Sequence, residues 1–365
     1  MICINKNTMR NYWMLFFPFL FLACTSHYSM HDFEKVKKID MHVHLNTAST
    51  FFPALAFHDN FTLITLNTDA YSEDIVEQER IALVLARNFP DKIFYLSTFS
   101  MNDWDSVYWA DSVLAHIQRS VLNGARGIKV WKNIGMAVKD RNGNFIMIDN
   151  PRFDTLFRYF VMHHIPVVGH CGEPRNCWLP LDQMTVSSDK NYFSRHPEYH
   201  MYNHPEYPSY EEQIAARDRL LEKNPGLIFI GAHLGSLEWD VDEIAKRFEK
   251  FPDFYVDLAG RVCYLELQAK DNWQKVRDFL IKYSNRILYG SDLASPQEDD
   301  DLQEAKKYIH QAWVHHWQFF VTADTMRSDQ FEGSFRGLHL PRKVIDDIYY
   351  NNAARIFLTH KIIQQ

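Results

Sequence analysis

Short apolar runs recur along the chain from residue 38 onward, each bounded by turn residues and followed by a longer stretch of mixed character. They occupy 38–44 (KIDMHVH), 61–67 (FTLITLN), 93–99 (IFYLSTF), 127–131 (GIKVW), 165–170 (IPVVGH), 227–233 (LIFIGAH), 254–260 (FYVDLAG) and 287–292 (ILYGSD). The stretches 72–89 and 211–224 between them carry apolar residues at helical spacing, and Ser72 with an acid close behind reads as an N-cap. Eight nearly continuous apolar strands alternating with amphipathic helices predict a parallel sheet buried on both faces or closed on itself. An open doubly wound sheet would carry a glycine-rich phosphate loop after its first strand, and residues 42–50 (HVHLNTAST) contain no glycine. The predicted fold class is therefore α/β, a (β/α)8 TIM barrel, for which ~250 residues plus insertions are typical.

Two segments stand outside this alternation. Residues 138–149 (VKDRNGNFIMID) hold an Asn-Gly step between strand-like residues, which predicts a hairpin after the fourth strand. Residues 171–210, rich in Pro, His, Tyr and Asn and without helical period, predict a long loop insertion after strand five, placed over the mouth of the barrel.

The first residues differ from the rest. Lys6 and Arg10 precede the apolar run 12–24 (YWMLFFPFLFLAC), interrupted by Pro18 and shorter than the ~20 residues of a spanning helix. Residues 1–23 read as a signal peptide of lipoprotein type, because FLAC resembles a bacterial lipoprotein box with Cys24 as the lipidated residue. Residues 24–36 then form a linker and 37–360 the barrel. This predicts an exported protein, periplasmic or an outer-membrane lipoprotein, touching the membrane only through its N-terminal lipid anchor. The 46% apolar content supplies one large core, and a net charge of -7 without a basic tract argues against nucleic acid and for a small-molecule substrate. A homo-oligomer stays open. Cys171, Cys177 and Cys263 are too few for a disulfide framework. Cys171 and Cys177 are read as free, with pairing in an oxidising compartment as the alternative.

The polar residues on the strands carry the chemistry. His42 and His44 end the first run, Lys129 lies in the fourth, and His170, His233 and Asp292 end the fifth, sixth and eighth. All lie at or near the carboxyl ends, where barrels keep their active sites. Side chains alternate along a strand, so His42 and His44 point the same way. A single strand-end histidine is ordinarily a hydrogen-bonded structural residue. Four of them with an aspartate exceed what packing demands, and a divalent cation satisfies several buried polar groups at once. Arg261, after the seventh run, is placed to hold a substrate carboxylate bidentately or to pair with Asp257. Glu173 lies three residues past His170 and reads as a supporting or substrate-side group. Trp178 and His204, with His200 and Tyr207, are candidates to line a lid over the mouth.

The segments DMHVH (40–44), GIKVW (127–131), VVGHCGEP (167–174), IGAHLGSLE (230–238), LYGSDLASP (288–296) and NNAARIF (351–357) resemble, in this order, the amidohydrolase superfamily. More narrowly they resemble its amidohydrolase-related (amidohydrolase 2) branch of TIM-barrel metal-dependent enzymes, over residues 38–357. The resemblance implies one divalent metal, Zn(II), held by His42, His44, His170 and Asp292. It implies Asp292 and His233 as catalytic residues, while Arg261, Glu173, Trp178 and His204 are the substrate-side candidates that their positions offer. Lys129 keeps two readings. In binuclear members a strand-four lysine is carboxylated and bridges a second metal, whereas an amine facing an anionic substrate is preferred here. The implied function is a metal-dependent hydrolase acting on a lactone, ester or amide of a small organic molecule through a metal-activated water. The alternatives are a metal-dependent nonoxidative decarboxylase of a small carboxylic acid, and a non-catalytic surface-anchored binding protein.

Overall fold

The structure, a computed structural model, describes residues 27–70, 74–297, 299–359 and 362. The expected signal peptide, Cys24 and Ser72 lie outside the described residues. Each apolar run becomes a strand: β1 Lys38–His44, β2 Phe61–Leu66, β3 Ile93–Leu96, β4 Ile128–Val130, β5 Val167–Gly169, β6 Phe229–Gly231 and β7 Phe254–Asp257. The eighth run divides into β8, Ile287–Leu288, which pairs with β7, and a following β9, Leu293–Ala294, which pairs with β1. All these pairings are parallel, and a bridge between Ser97 and Ile128 joins β3 to β4. The ring is closed, as the periodicity predicts.

The interior is apolar at the lower end. Ile39, Met41, Ile64, Leu66, Leu96, Val168, Ile230 and Leu288 pack together there, and Ala353, Ile356 and Phe357 from the C-terminal segment plug the floor. Asn352 anchors that plug by donating to the Ser284 and Ile287 carbonyls at 2.7 and 2.8 Å.

Alternation alone would aim the histidine pair the wrong way. With Ile39 and Met41 inward, even-numbered residues of β1 face the helices, as Asp40 does: it accepts from Ser291 N at 2.9 Å and from Trp313 Nε1 at 3.0 Å, on the outer helix Leu302–Val321. The pairing of β1 with β2 slips between Asp40 and Val43. Such a bulge reverses parity, so Val43 joins the outer core while His42 turns into the barrel.

Three expectations are revised. The helix expected over 72–89 spans Ile75–Asn88 and is capped by Asp74, whose side chain accepts from Val76 N, rather than by Ser72. The insertion is more ordered than its composition suggests. It contains the helix Ser187–Arg195 and several 3-10 turns around a small core of Cys177, Phe193 and Met201. The described part of the expected linker, 27–36, is docked on the lower end of the barrel: Tyr28 donates to Asp346 at 2.8 Å, and Ser29 O accepts from Trp317 Nε1 at 3.0 Å. The hairpin after β4 is present as one antiparallel bridge, Lys139 to Phe145, and the helix Tyr210–Lys223 opens with a Ser209/Glu212 capping box. Cys171, Cys177 and Cys263 are free thiols.

Asp40→Ala removes the acceptor of three buried donors, Ser291 N, Trp313 Nε1 and His42 N, and is expected to cost about 2–4 kcal/mol. The check is urea unfolding, with a lower midpoint at unchanged slope.

Candidate metal centre

Two of the five strand-end groups, His42 and His233, are held by a residue that was not among the expected site residues. Asp257 ends β7 fully buried; its Oδ2 lies 2.7 Å from His42 Nδ1, and its Oδ1 accepts from the backbone N–H groups of His233 and Ala259 at 2.7 and 3.1 Å. Burial alone would raise the Asp257 pKa, but its interaction with His42 and the nearby Lys129 cation outweigh it, so its carboxyl lies below the usual range and is ionised. A carboxylate only accepts, so His42 carries its proton on Nδ1 and turns the Nε2 lone pair into the barrel. His44 is oriented in a similar way: its Nδ1 stands 3.2 Å from the Leu66 carbonyl, which turns Nε2 into the barrel.

Those two Nε2 atoms face Asp292. Its Oδ1 lies 3.5 Å from His42 Nε2 and 3.4 Å from His44 Nε2, and the three ligand atoms fall within 4.8 Å of one another. Burial alone would raise the Asp292 pKa, but His233, His44 and His42 outweigh it and hold the carboxyl well below its usual value. Three ligand atoms thus converge on one point, an arrangement that suits a cation. Lys129 Nζ, 3.2 Å from His42 Nε2, supplies part of that charge. Burial pushes its pKa down to about 8.

His170 lies beside this group rather than within it. Its ring stands 4.3 Å from that of His233, and neither of its buried nitrogens has a hydrogen-bond partner. Burial holds it neutral, well below its usual pKa. Two orphaned imidazole nitrogens next to this group of ligand atoms suit a divalent cation with N/O ligands, and the residues present fit one.

His233 reaches the site through an unusual backbone. It sits at φ 59°, followed by Leu234 at 58° and Ser236 at 55°, and Asp292 sits at φ 67°. Left-handed conformations at residues with side chains are strained, and here each is held by hydrogen bonds: Asp257 on His233 N, and the His42 carbonyl accepting from Asp292 N at 2.8 Å. Gly260 is required beside them, because a Cβ there would lie 3.2 Å from Asp292 Oδ2 at a φ of +61°. Burial lowers the His233 pKa to about 3, and its Nδ1 stands 2.8 Å from the Ala259 carbonyl. Neutral His233 therefore donates to that carbonyl and presents Nε2 as an acceptor.

The rim residues divide. Arg261 does not pair with Asp257; its Nη1 donates to the Gly260 carbonyl at 2.9 Å and its buried Nε has no partner. Glu173 accepts from Lys132 and places Oε2 3.9 Å from His170 Nε2. Trp178 and His204 are engaged in the packing of the insertion, through the Pro208 and Pro197 carbonyls at 3.3 and 3.1 Å. Glu238 was also missed. It is fully buried, its Oε1 accepts from Arg175 N at 2.7 Å, its Oε2 has no partner, and burial pushes its pKa up to about 7. For Asp257 a signal existed, since it ends a barrel strand as the other site residues do.

Among solved structures, the fold is similar to 2,6-dihydroxybenzoate decarboxylase from Rhizobium, at 16% identity over 88% of this chain and 98% of that one, with a TM-score of 0.51. It is similar to a 2,6-dihydroxybenzoate decarboxylase complexed with 2,6-dihydroxybenzoate, at 16% identity, 88% and 99% coverage and a TM-score of 0.50. A 4-oxalomesaconate hydratase from Rhodopseudomonas palustris aligns at 12% identity, 88% and 95% coverage and a TM-score of 0.45. No curated protein matches the chain. The amidohydrolase family model matches residues 39–358, from the bulged strand that carries the histidine pair to the plug at the floor of the barrel, and the chain belongs to that family, in its amidohydrolase 2 branch.

Proposed function

We propose that the protein hydrolyses a lactone, ester or amide of a small carboxylate-bearing molecule, with one divalent cation held by His42, His44, His170 and Asp292. The observation that carries this reading is the convergence of two imidazole Nε2 atoms and the ionised Asp292 carboxylate, whose side chain remains 34% exposed. The donor set suits Zn(II), which when bound acts as a Lewis acid and lowers the pKa of a water toward ~7. Asp292, ionised and accessible, takes the proton of the attacking water and returns it to the departing oxygen or nitrogen as the carbonyl bond breaks. Neutral His233 acts as an acceptor that orients the water or a substrate N–H or O–H. Lys129 faces the developing oxyanion as an unmodified cation, and the unpaired Nε of Arg261 receives a substrate carboxylate.

A second reading is nonoxidative decarboxylation, the reaction named for the Rhizobium structure. It draws on Arg261 and Lys129, two cations able to fix a carboxylate. That reaction needs a proton delivered to carbon. His233 is neutral and Asp292 ionised, so Lys129 is the donor left among these groups, and hydrolysis is preferred. A panel of lactones, esters, amides and aromatic acids separates the two: acid release without carbon dioxide supports hydrolysis, and carbon dioxide release overturns it. The leading segment we read as an export signal with Cys24 as a lipid-attachment site. Palmitate labelling that is lost in Cys24→Ala is the expected result.

His42→Ala and His44→Ala are expected to purify without metal, by elemental analysis, while Asp257→Asn keeps the fold but binds metal about 10–100-fold more weakly. Asp292→Asn is expected to lower kcat by about 100-fold or more on whichever substrate responds. His233→Asn should lower kcat while retaining bound metal, which distinguishes its role from that of a ligand.

A further inference from the structure

The insertion after β5 builds a second feature beside the imidazole group. A pocket of about 210 Å3 opens between it and the loop after β4, lined by Trp131, Lys132, Glu173, Tyr192, Tyr199 and Met201. It shares a wall with the candidate centre: Trp131 meets His170 edge-on with ring centroids 5.2 Å apart, and Glu173 Oε2 is 3.9 Å from His170 Nε2. The Tyr192 and Tyr199 rings are nearly parallel, tilted by 11° with centroids 6.4 Å apart. Their support is folded, because Phe193 and Met201 lie in the buried core of the insertion with Cys177. Lys132 donates to Glu173, so the two charges that line the pocket neutralise one another.

Flat aromatic walls with a neutralised ion pair disfavour a second anionic group and favour an uncharged ring. Pockets for drug-sized ligands run to ~300–1,000 Å3, so this one has room for a single ring. We propose that this pocket receives the part of the substrate remote from the reacting carbonyl, an uncharged aromatic or similarly flat ring, and that Tyr192 and Tyr199 determine specificity for it. The term substrate rests on the hydrolase reading above; the binding of a ring does not.

Phenol titrated into the purified protein, followed by saturation-transfer NMR and calorimetry, tests the pocket directly. Saturable binding to the wild type is expected, weakened about tenfold in the Tyr192→Ala/Tyr199→Ala double variant. Ala70→Phe, which fills the pocket from the β2 side, should abolish it with an unchanged thermal melt. On a hydrolysed ester, the double variant should raise KM for a ring-bearing substrate at unchanged kcat and leave a methyl analogue untouched. Absence of saturable binding, or equal phenol affinity in the wild type and both variants, overturns the proposal. Saturable phenol binding that both variants weaken, in a protein that hydrolyses nothing on the panel, removes the hydrolase reading and upholds the ring-binding pocket.

Discussion

The Asp257 carboxylate organises the centre. Buried at the end of β7, it accepts from a side chain of β1 and from the backbone that leaves β6, and so ties three strands to one anion. Its bond to His42 decides which imidazole nitrogen faces the barrel, and its bond to His233 N steadies a left-handed turn. Without that anion His42 could protonate on either nitrogen, and the turn that swings His233 toward Asp292 would lose its anchor. A single buried charge of this kind is stable because its partners include cations and dipoles directed at it.

Much of the fold was legible because strands buried on both faces announce themselves as unbroken apolar runs, and eight such runs with helices between them leave few architectures. The convergence of His42, His44 and Asp292 followed from their places at strand ends. What decided their aim was not legible. The bulge in β1 is a property of pairing with β2, and no residue in KIDMHVHLN marks it. The left-handed turn at His233 likewise resides in hydrogen bonds from another strand. The helix Ser187–Arg195 escaped because it buries little beyond Asp189 and Phe193, too few positions to produce an apolar period. The docking of 27–36 depends on Asp346 and Trp317, hundreds of residues away in the chain.

The site residues spend conformational strain where chemistry is to happen. His233 and Asp292 both occupy backbone conformations that side chains disfavour, and the cost is met by hydrogen bonds to elements fixed by the barrel core. The rim is built differently. Its contribution comes from the insertion, which carries its own small core and is bonded to the barrel through Asp189 and Asn176 on Tyr264, Arg175 N on Glu238, and Glu173 on Lys132.

The docked segment from His27 to Val36 gives the molecule a polarity. It lies against the floor, beside the C-terminal plug, while the centre opens at the opposite end of the same strands. The described chain thus begins at the closed face, and the open mouth at the other end of the strands is left unobstructed by it.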